Sequence, residues 1–227
     1  MRTPIKEPKN LKPMKPEITL YACSTPNGFK PAVMLEELGV AYNYKKINIM
    51  KGDQFSEEFI AINPNSKIPA IVDHSAGDFN VFESGAILIY LAEKYGQFLP
   101  TDSLKRSEII QWVFFQNAGI GPMFGQFGHF YSYGGKNLEE KYPLERYAKE
   151  AKRLIQVMDD RLASSKYLGG DTYSIADICT FPWFWALIAA YNAQEMLGLD
   201  SFVNVQKWYQ ECIARPAFKK AKDRMAQ

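Results

Sequence analysis

Three short segments carry residue types suited to holding a thiol and the peptide around it. Ser24-Thr25-Pro26-Asn27-Gly28 is a turn between an apolar run and a helical pattern. A helix start leaves backbone N–H groups unpaired and carries the positive end of the helix dipole. Such a place stabilises an anion, and a thiolate is one. Thr25 and Asn27 add a hydroxyl and an amide donor, although the same residue types are also the commonest helix caps. In Ser66-Lys67-Ile68-Pro69 a proline opens a strand and withholds one ladder donor. With a cis bond at Pro69, the Ile68 backbone would face an extended peptide. Lys67 would meet a carboxylate, or is simply a solvated lysine. Glu83-Ser84-Gly85 opens a helix, where Ser84 can give its N–H and hydroxyl to a carboxylate. Glu83 can take an ammonium, or serves only as an acidic cap.

The pattern around these segments places them together. Ile18–Ala22 reads as a strand, Pro31–Leu38 as a helix stopped by Gly39, and Tyr42–Ile49 as a second strand. A strand, a helix and a strand in succession form a crossover that makes the strands parallel. Gln54–Ile62 reads as a short helix and Lys67–Asp73 as a strand. Ser75–Asp78 is a hairpin turn, Phe79–Phe82 the returning strand, and Glu83–Tyr95 a helix ended by Gly96. The order β-α-β-α-β-β-α is the thioredoxin topology. It puts the three segments on one sheet edge: a thiolate site, a free backbone strand and a clamp for an α-amino acid.

Beyond Leu99-Pro100 no strand is expected. Apolar residues recur at helical spacing over 107–117 and, most regularly, over 144–162. Ser174-Ile-Ala-Asp177 is a capping-box start, and the helix it opens runs to about Ala193. Helices over 203–213 and 216–225 follow, while the Gly-rich stretch 119–135 reads as a long loop or broken helix. The fold class is therefore an α/β thioredoxin-like N-terminal domain over 17–99 and an all-α helical bundle over 104–227. Residues 1–16, alternating Pro and Lys, form an extended arm, either a free tail or a strap on a partner subunit.

The chain of 227 residues has 47% hydrophobic and 23% charged residues, enough apolar material for a sizeable core. A net charge of +2 argues against a large phosphate-binding surface, so no nucleic acid is expected. Cys23, Cys179 and Cys212 include no C-x-x-C pair and read as thiols in a reducing, cytoplasmic setting. No apolar run reaches membrane-span length, and no metal site is expected. Cys23 is a candidate nucleophile or a small buried hydrophobe; Cys179 and Cys212 read as core. His129 with Phe127, Phe130, Tyr131 and Tyr133 could line a second pocket or pack the core.

Phe82-Glu83-Ser84-Gly85-Ala86-Ile87, Asn63-Pro-Asn-Ser-Lys-Ile-Pro69 and Ser174-Ile-Ala-Asp177 resemble three segments of the glutathione transferases, over roughly residues 18–220. Ser24-Thr-Pro-Asn-Gly-x-Lys30 is most similar to the bacterial nu class and the fungal nitrogen-regulator-like group. The resemblance implies a homodimer that uses glutathione as substrate and reduces disulfides, with two glutathiones bound. It implies Thr25 and Asn27 as donors at the glutathione sulfur, and Gln54, Lys67, Ile68, Glu83 and Ser84 as binding residues. Arg146 would meet the second glutathione. The tyrosine that several other classes use is absent, since Tyr21 lies inside the strand. Disulfide reduction is thus expected ahead of conjugation to electrophiles, with a non-catalytic regulator as the third alternative.

Overall fold

The computed structural model describes residues 16–226. Four strands form one mixed sheet: β1 (Ile18–Ala22), β2 (Tyr42–Lys46), β3 (Ala70–Asp73) and β4 (Phe79–Phe82), in the order β2-β1-β3-β4. β1 and β2 are parallel, joined through α1 (Pro26–Leu38); β3 runs antiparallel to both β1 and β4. Between them lie a 3-10 turn (Asp53–Phe55) and α2 (Glu57–Ile62), and α3 (Ser84–Tyr95) closes the unit. This is the expected thioredoxin-like arrangement. β1 is central, so every one of its residues is buried. Ile18, Leu20 and Ala22 face the main core with α1 and α3, while Tyr21 faces a small second core with Phe59 of α2 and Val72. The alternation follows the two-residue period of a strand.

α1 starts five residues earlier than the sequence pattern suggests. Thr25 caps it and Pro26 occupies the first turn, where a missing N–H costs nothing. Pro31 lies inside the helix and gives up one rung, the bond to the carbonyl of Asn27, without ending it. Gly39 closes the helix in the left-handed region, as expected.

The rest is helical: α4 (Ser103–Phe115), α5 (Gly121–Ser132), α6 (Tyr142–Ser164), α7 (Ile175–Ala189), α8 (Gln194–Leu197), α9 (Val203–Ile213) and α10 (Pro216–Met225). A π-helical turn, Gln116–Ile120, joins α4 to α5 without a break. The stretch 119–135 is therefore mostly helix and not a loop. Its glycines lie on a crowded face, with the Trp183 ring beside Gly125 and the Tyr191 ring beside Gly128. α7 is the buried axis, packed on α1, α4 and α9. Its capping box is complete, and the Asp177 carboxylate also accepts from Leu168 N (3.0 Å) and Trp208 Nε1 (2.9 Å). Burial raises the Asp177 carboxyl to about 6. Apart from Pro16, the expected N-terminal arm lies outside the described residues. Among the described residues no helix is long and apolar enough to cross a membrane.

Asp73 ties the sheet to α3. Its side chain is fully buried; burial alone would raise its carboxyl. Hydrogen bonds from Lys94 (2.5 Å), Tyr90 (2.6 Å) and Ser75 outweigh that and bring it to about 2. The folded value lies below that of the unfolded chain. Its stabilisation is therefore full above about pH 4 and is lost as the pH falls toward the folded value. Asp73→Asn should lower the unfolding free energy by about 2 kcal/mol at neutral pH. In urea titrations that difference should narrow as the pH falls from about 4 to about 2. A difference independent of pH would contradict it.

Candidate functional site

A cleft of about 520 Å³ opens between the start of α1, the start of α3 and the α4–α5 junction. Asn27, Lys67, Glu83 and Ser84 all line it, so residues from the three separate segments meet at one place.

Each wall is set by local structure. At the first wall, Thr25 Oγ1 accepts from Gly28 N at 3.1 Å and points its own hydroxyl at the Cys23 carbonyl over a long 3.4 Å. Thr25 thus shapes the turn beneath the cleft. Asn27 reaches the cleft itself, and its Oδ1 accepts from Trp183 Nε1 at 3.0 Å. At the second wall, buried Asn63 braces the loop. Its Nδ2 donates to the Lys67 carbonyl at 2.6 Å and its Oδ1 accepts from Asn65 N at 2.9 Å. The Ile68–Pro69 peptide is cis. Among the described residues the Ile68 backbone has no hydrogen-bond partner, so that edge is open. At the third wall, Glu83 has φ +68° and ψ 117°. A non-glycine residue rarely adopts this conformation, and such strain clusters at ligand clamps. Ser84 begins α3 with its backbone N–H at the helix N-terminus.

Beneath these lies a polar floor that sequence reasoning missed. Lys30 is 1% exposed; its ammonium donates to Ser84 Oγ (3.0 Å) and to Gln116 Oε1 (2.5 Å). Burial pulls the Lys30 pKa below its ordinary value, partly offset by Cys179 and Glu83. Gln116 and Trp183 come from the helical half and carry no local signal of chemistry. Lys30 had one: it stands three residues after Asn27 and so shares its helix face.

Other expected positions lie elsewhere. Gln54 does not line the cleft; its Nε2 donates to Ile49 O at 3.3 Å and its Oε1 is buried without a partner among the described residues. Arg146 lines a separate groove of about 810 Å³ with Arg153, Lys149 and Met123. That groove lies next to the cleft along α5, where Pro122 lines the one and Met123 the other. Cys23 is half-buried, and burial raises its thiol in spite of the Thr25 hydroxyl, the Ile49 N–H and Lys46. It lacks the lowered pKa of a reactive cysteine. Tyr21 is buried, as expected, and Cys179 and Cys212 are core residues. Of the aromatic group, His129 and Tyr133 reach the cleft while Phe127 is in the core. Among the described residues no cluster of metal-ligating side chains is found.

Comparison with known proteins matches both halves of the chain. The family model for the glutathione S-transferase N-terminal domain matches residues 16–93, and that for the C-terminal domain matches residues 112–216. The disulfide-bond oxidoreductase YghU of Escherichia coli (strain K12) is 44% identical over 223 residues, covering 94% of this chain and 77% of that protein. The disulfide-bond oxidoreductase YfcG of the same organism is 44% identical over 204 residues, covering 88% of this chain and 92% of its own. A crystal structure of a glutathione transferase family member from Pseudomonas fluorescens, with two glutathione bound, aligns at TM-score 0.88 and 48% identity. It covers 92% of this chain and 93% of that one.

The turn under the first wall has no room to spare. A Cβ at Gly28 would sit 2.1 Å from the Cys23 carbonyl oxygen, a backbone atom that cannot rotate away. Gly28→Ala should cost about 2 kcal/mol in urea unfolding, an overpacking cost. Unchanged stability would mean that the turn yields.

Proposed function

The chain belongs to the glutathione S-transferase family, and from that membership we propose that it is a glutathione-dependent disulfide-bond oxidoreductase. The observation that carries this is the meeting in one cleft of a helix N-terminus with Asn27, of Lys67 next to the open Ile68 backbone, and of Ser84 beside strained Glu83. Glutathione presents a thiol, a peptide backbone and a γ-linked amino acid in that order. We take residues 17–99 as the glutathione-binding domain and 104–227 as the helical domain.

In this reading Ser84 holds the γ-glutamyl carboxylate at the start of α3, and Glu83 takes the ammonium. Ile68 pairs with the cysteinyl backbone and Lys67 meets a carboxylate. The sulfur lies over the first turn of α1. There the Asn27 amide and backbone N–H, at the positive end of α1, favour the thiolate, and the Thr25 hydroxyl joins them when it turns from the Cys23 carbonyl. Gln54 takes part only if its segment moves toward the ligand. The thiolate attacks one sulfur of a substrate disulfide, forms a mixed disulfide and expels the other sulfur as a thiolate. A second glutathione then attacks the mixed disulfide and releases glutathione disulfide and the second reduced thiol. Arg146, in the adjoining groove, would hold that second glutathione. The subunits pair as a homodimer, covering some of the exposed Phe55, Phe79, Phe82 and Phe114.

Support comes from the burial of Tyr21 within β1, outside the cleft lining, and from the names of the two relatives. It comes also from the raised Cys23 thiol, which leaves the chemistry to the bound peptide. Two assays separate the readings: glutathione-dependent reduction of hydroxyethyl disulfide coupled to glutathione reductase, and conjugation of glutathione to chlorodinitrobenzene. Strong reduction with weak conjugation is expected. The reverse would make the chain a conjugating transferase, and bound glutathione with neither activity would make it a regulator.

Two substitutions divide the roles. Asn27→Ala should lower kcat for disulfide reduction by about tenfold while glutathione affinity changes little, since the amide acts on the thiolate. Ser84→Ala should instead weaken binding, by about tenfold in a calorimetric titration. Equal kcat in the first or equal affinity in the second would refute the assigned role.

A further inference from the structure

Disulfide exchange from a stabilised thiolate meets its difficulty at the leaving group. Lowering the pKa of the attacking thiol weakens it as a nucleophile, and an ordinary alkyl thiolate leaves slowly. Its departure is uphill unless a proton meets it. Imidazole is the side chain that exchanges a proton near neutral pH. His129 is one of the two histidines in the chain, and it lines the cleft. The other, His74, has both ring nitrogens engaged, with Thr19 Oγ1 at 2.8 Å and Asp78 Oδ1 at 2.5 Å, whereas those of His129 have no partner among the described residues. The His129 ring is nevertheless held in place. Phe130 and Tyr133 meet it edge-to-face, at 4.9 Å and 5.5 Å between centroids. A Cβ at Gly134 would run into the imidazole, and Gly135 N donates to the His129 carbonyl at 2.8 Å. Its position also suits the task. The Trp183 ring that bonds Asn27 packs beside Gly125, and His129 lies one turn further along the same face of α5. On the other side Phe130 stacks on Tyr147 at 5.6 Å, and Tyr147 lines the groove of Arg146. His129 thus lies on the path from the start of α1 to that groove, and it is exposed, so solvent can return its proton.

We propose that His129 is a catalytic acid of disulfide reduction, whose imidazolium gives a proton to the sulfur that leaves the substrate. This rests on the reading of the chain as a glutathione-dependent disulfide reductase and deepens it. The bound thiolate attacks one substrate sulfur, the S–S bond breaks, and its electron pair goes to the other sulfur, which takes the proton from His129. A mixed disulfide, a free thiol and a neutral imidazole result. The imidazole regains a proton from solvent, to which the bound glutathione released its own on ionising. The titratable groups around the ring are Tyr133 on its own segment, Tyr191 beyond Tyr133, Tyr147 of α6 behind Phe130, and Lys30, Lys67 and Glu83 elsewhere on the cleft lining.

Rates of glutathione-dependent reduction above the uncatalysed rate test this in wild type and His129→Gln, on two disulfides of similar size. Hydroxyethyl disulfide releases a basic alkyl thiolate. Bis(trifluoroethyl) disulfide releases a far more acidic thiol, because its fluorines withdraw electrons, and that thiolate leaves with little help. His129→Gln keeps a polar side chain and removes the exchangeable proton. It should lower kcat for hydroxyethyl disulfide by about a hundredfold and for the fluorinated disulfide by less than about tenfold. The wild-type kcat for hydroxyethyl disulfide should fall as the pH rises through the imidazole titration, and the variant should lose that limb. Activity retained on the fluorinated disulfide shows that the variant is folded. A variant within about twofold of an active wild type on both disulfides would overturn the proposal and leave the reductase reading intact. An equal loss on both would also overturn it, as a general disturbance of the site. A wild type that reduces neither disulfide would instead fail the underlying reading, and this proposal with it.

Discussion

The closure of the turn between β1 and α1 is the constraint on which the site depends. Thr25 accepts from Gly28 N, Phe29 N bonds the Thr25 carbonyl at 2.9 Å, and Gly28 presses against the Cys23 carbonyl. These contacts fix where the first turn of α1 points its N–H groups. Everything else is arranged around that end. β1 is the buried central strand that delivers the chain to it, and α7 packs along α1 from the other side. Trp183 of α7 then reaches across to the amide of Asn27. A helix dipole acts only over its first turn, so a shift of the turn would separate the field from the ligand.

The cleft is a shared construction of both halves. The thioredoxin-like half supplies Asn27, Lys67, Glu83 and Ser84, and the helical half supplies Gln116 and Trp183. The π-helical turn is what brings Gln116 inward. It shifts the register between α4 and α5, and such turns recur at functional sites. The buried charge of Lys30 bonds both halves at once, through Ser84 and Gln116.

Much of this was readable before the structure. The parallel pairing of β1 with β2 followed from the crossover rule, and β4, α9 and α10 lie where apolar spacing and turn residues put them. The capping box at Ser174 needed only a serine and an acid three residues apart. The failures have physical causes. The start of α1 was hidden because Pro31 reads as a first-turn proline, while Pro26 after Thr25 is the one in that place. α5 stood undecided between a loop and a broken helix because its glycines lower intrinsic helix propensity, and packing against Trp183 and Tyr191 overrides that. The floor residues were hidden because a lysine and a glutamine ordinarily face water; only the fold reveals that Lys30 and Gln116 bond each other.

The central claim is that the start of α1 stabilises a bound thiolate. The most direct measurement is the ultraviolet absorbance of thiolate in a pH titration of glutathione bound to the protein, against free glutathione. The account predicts that the bound thiol ionises at least about one pH unit lower. Ionisation at the same pH as free glutathione would contradict it.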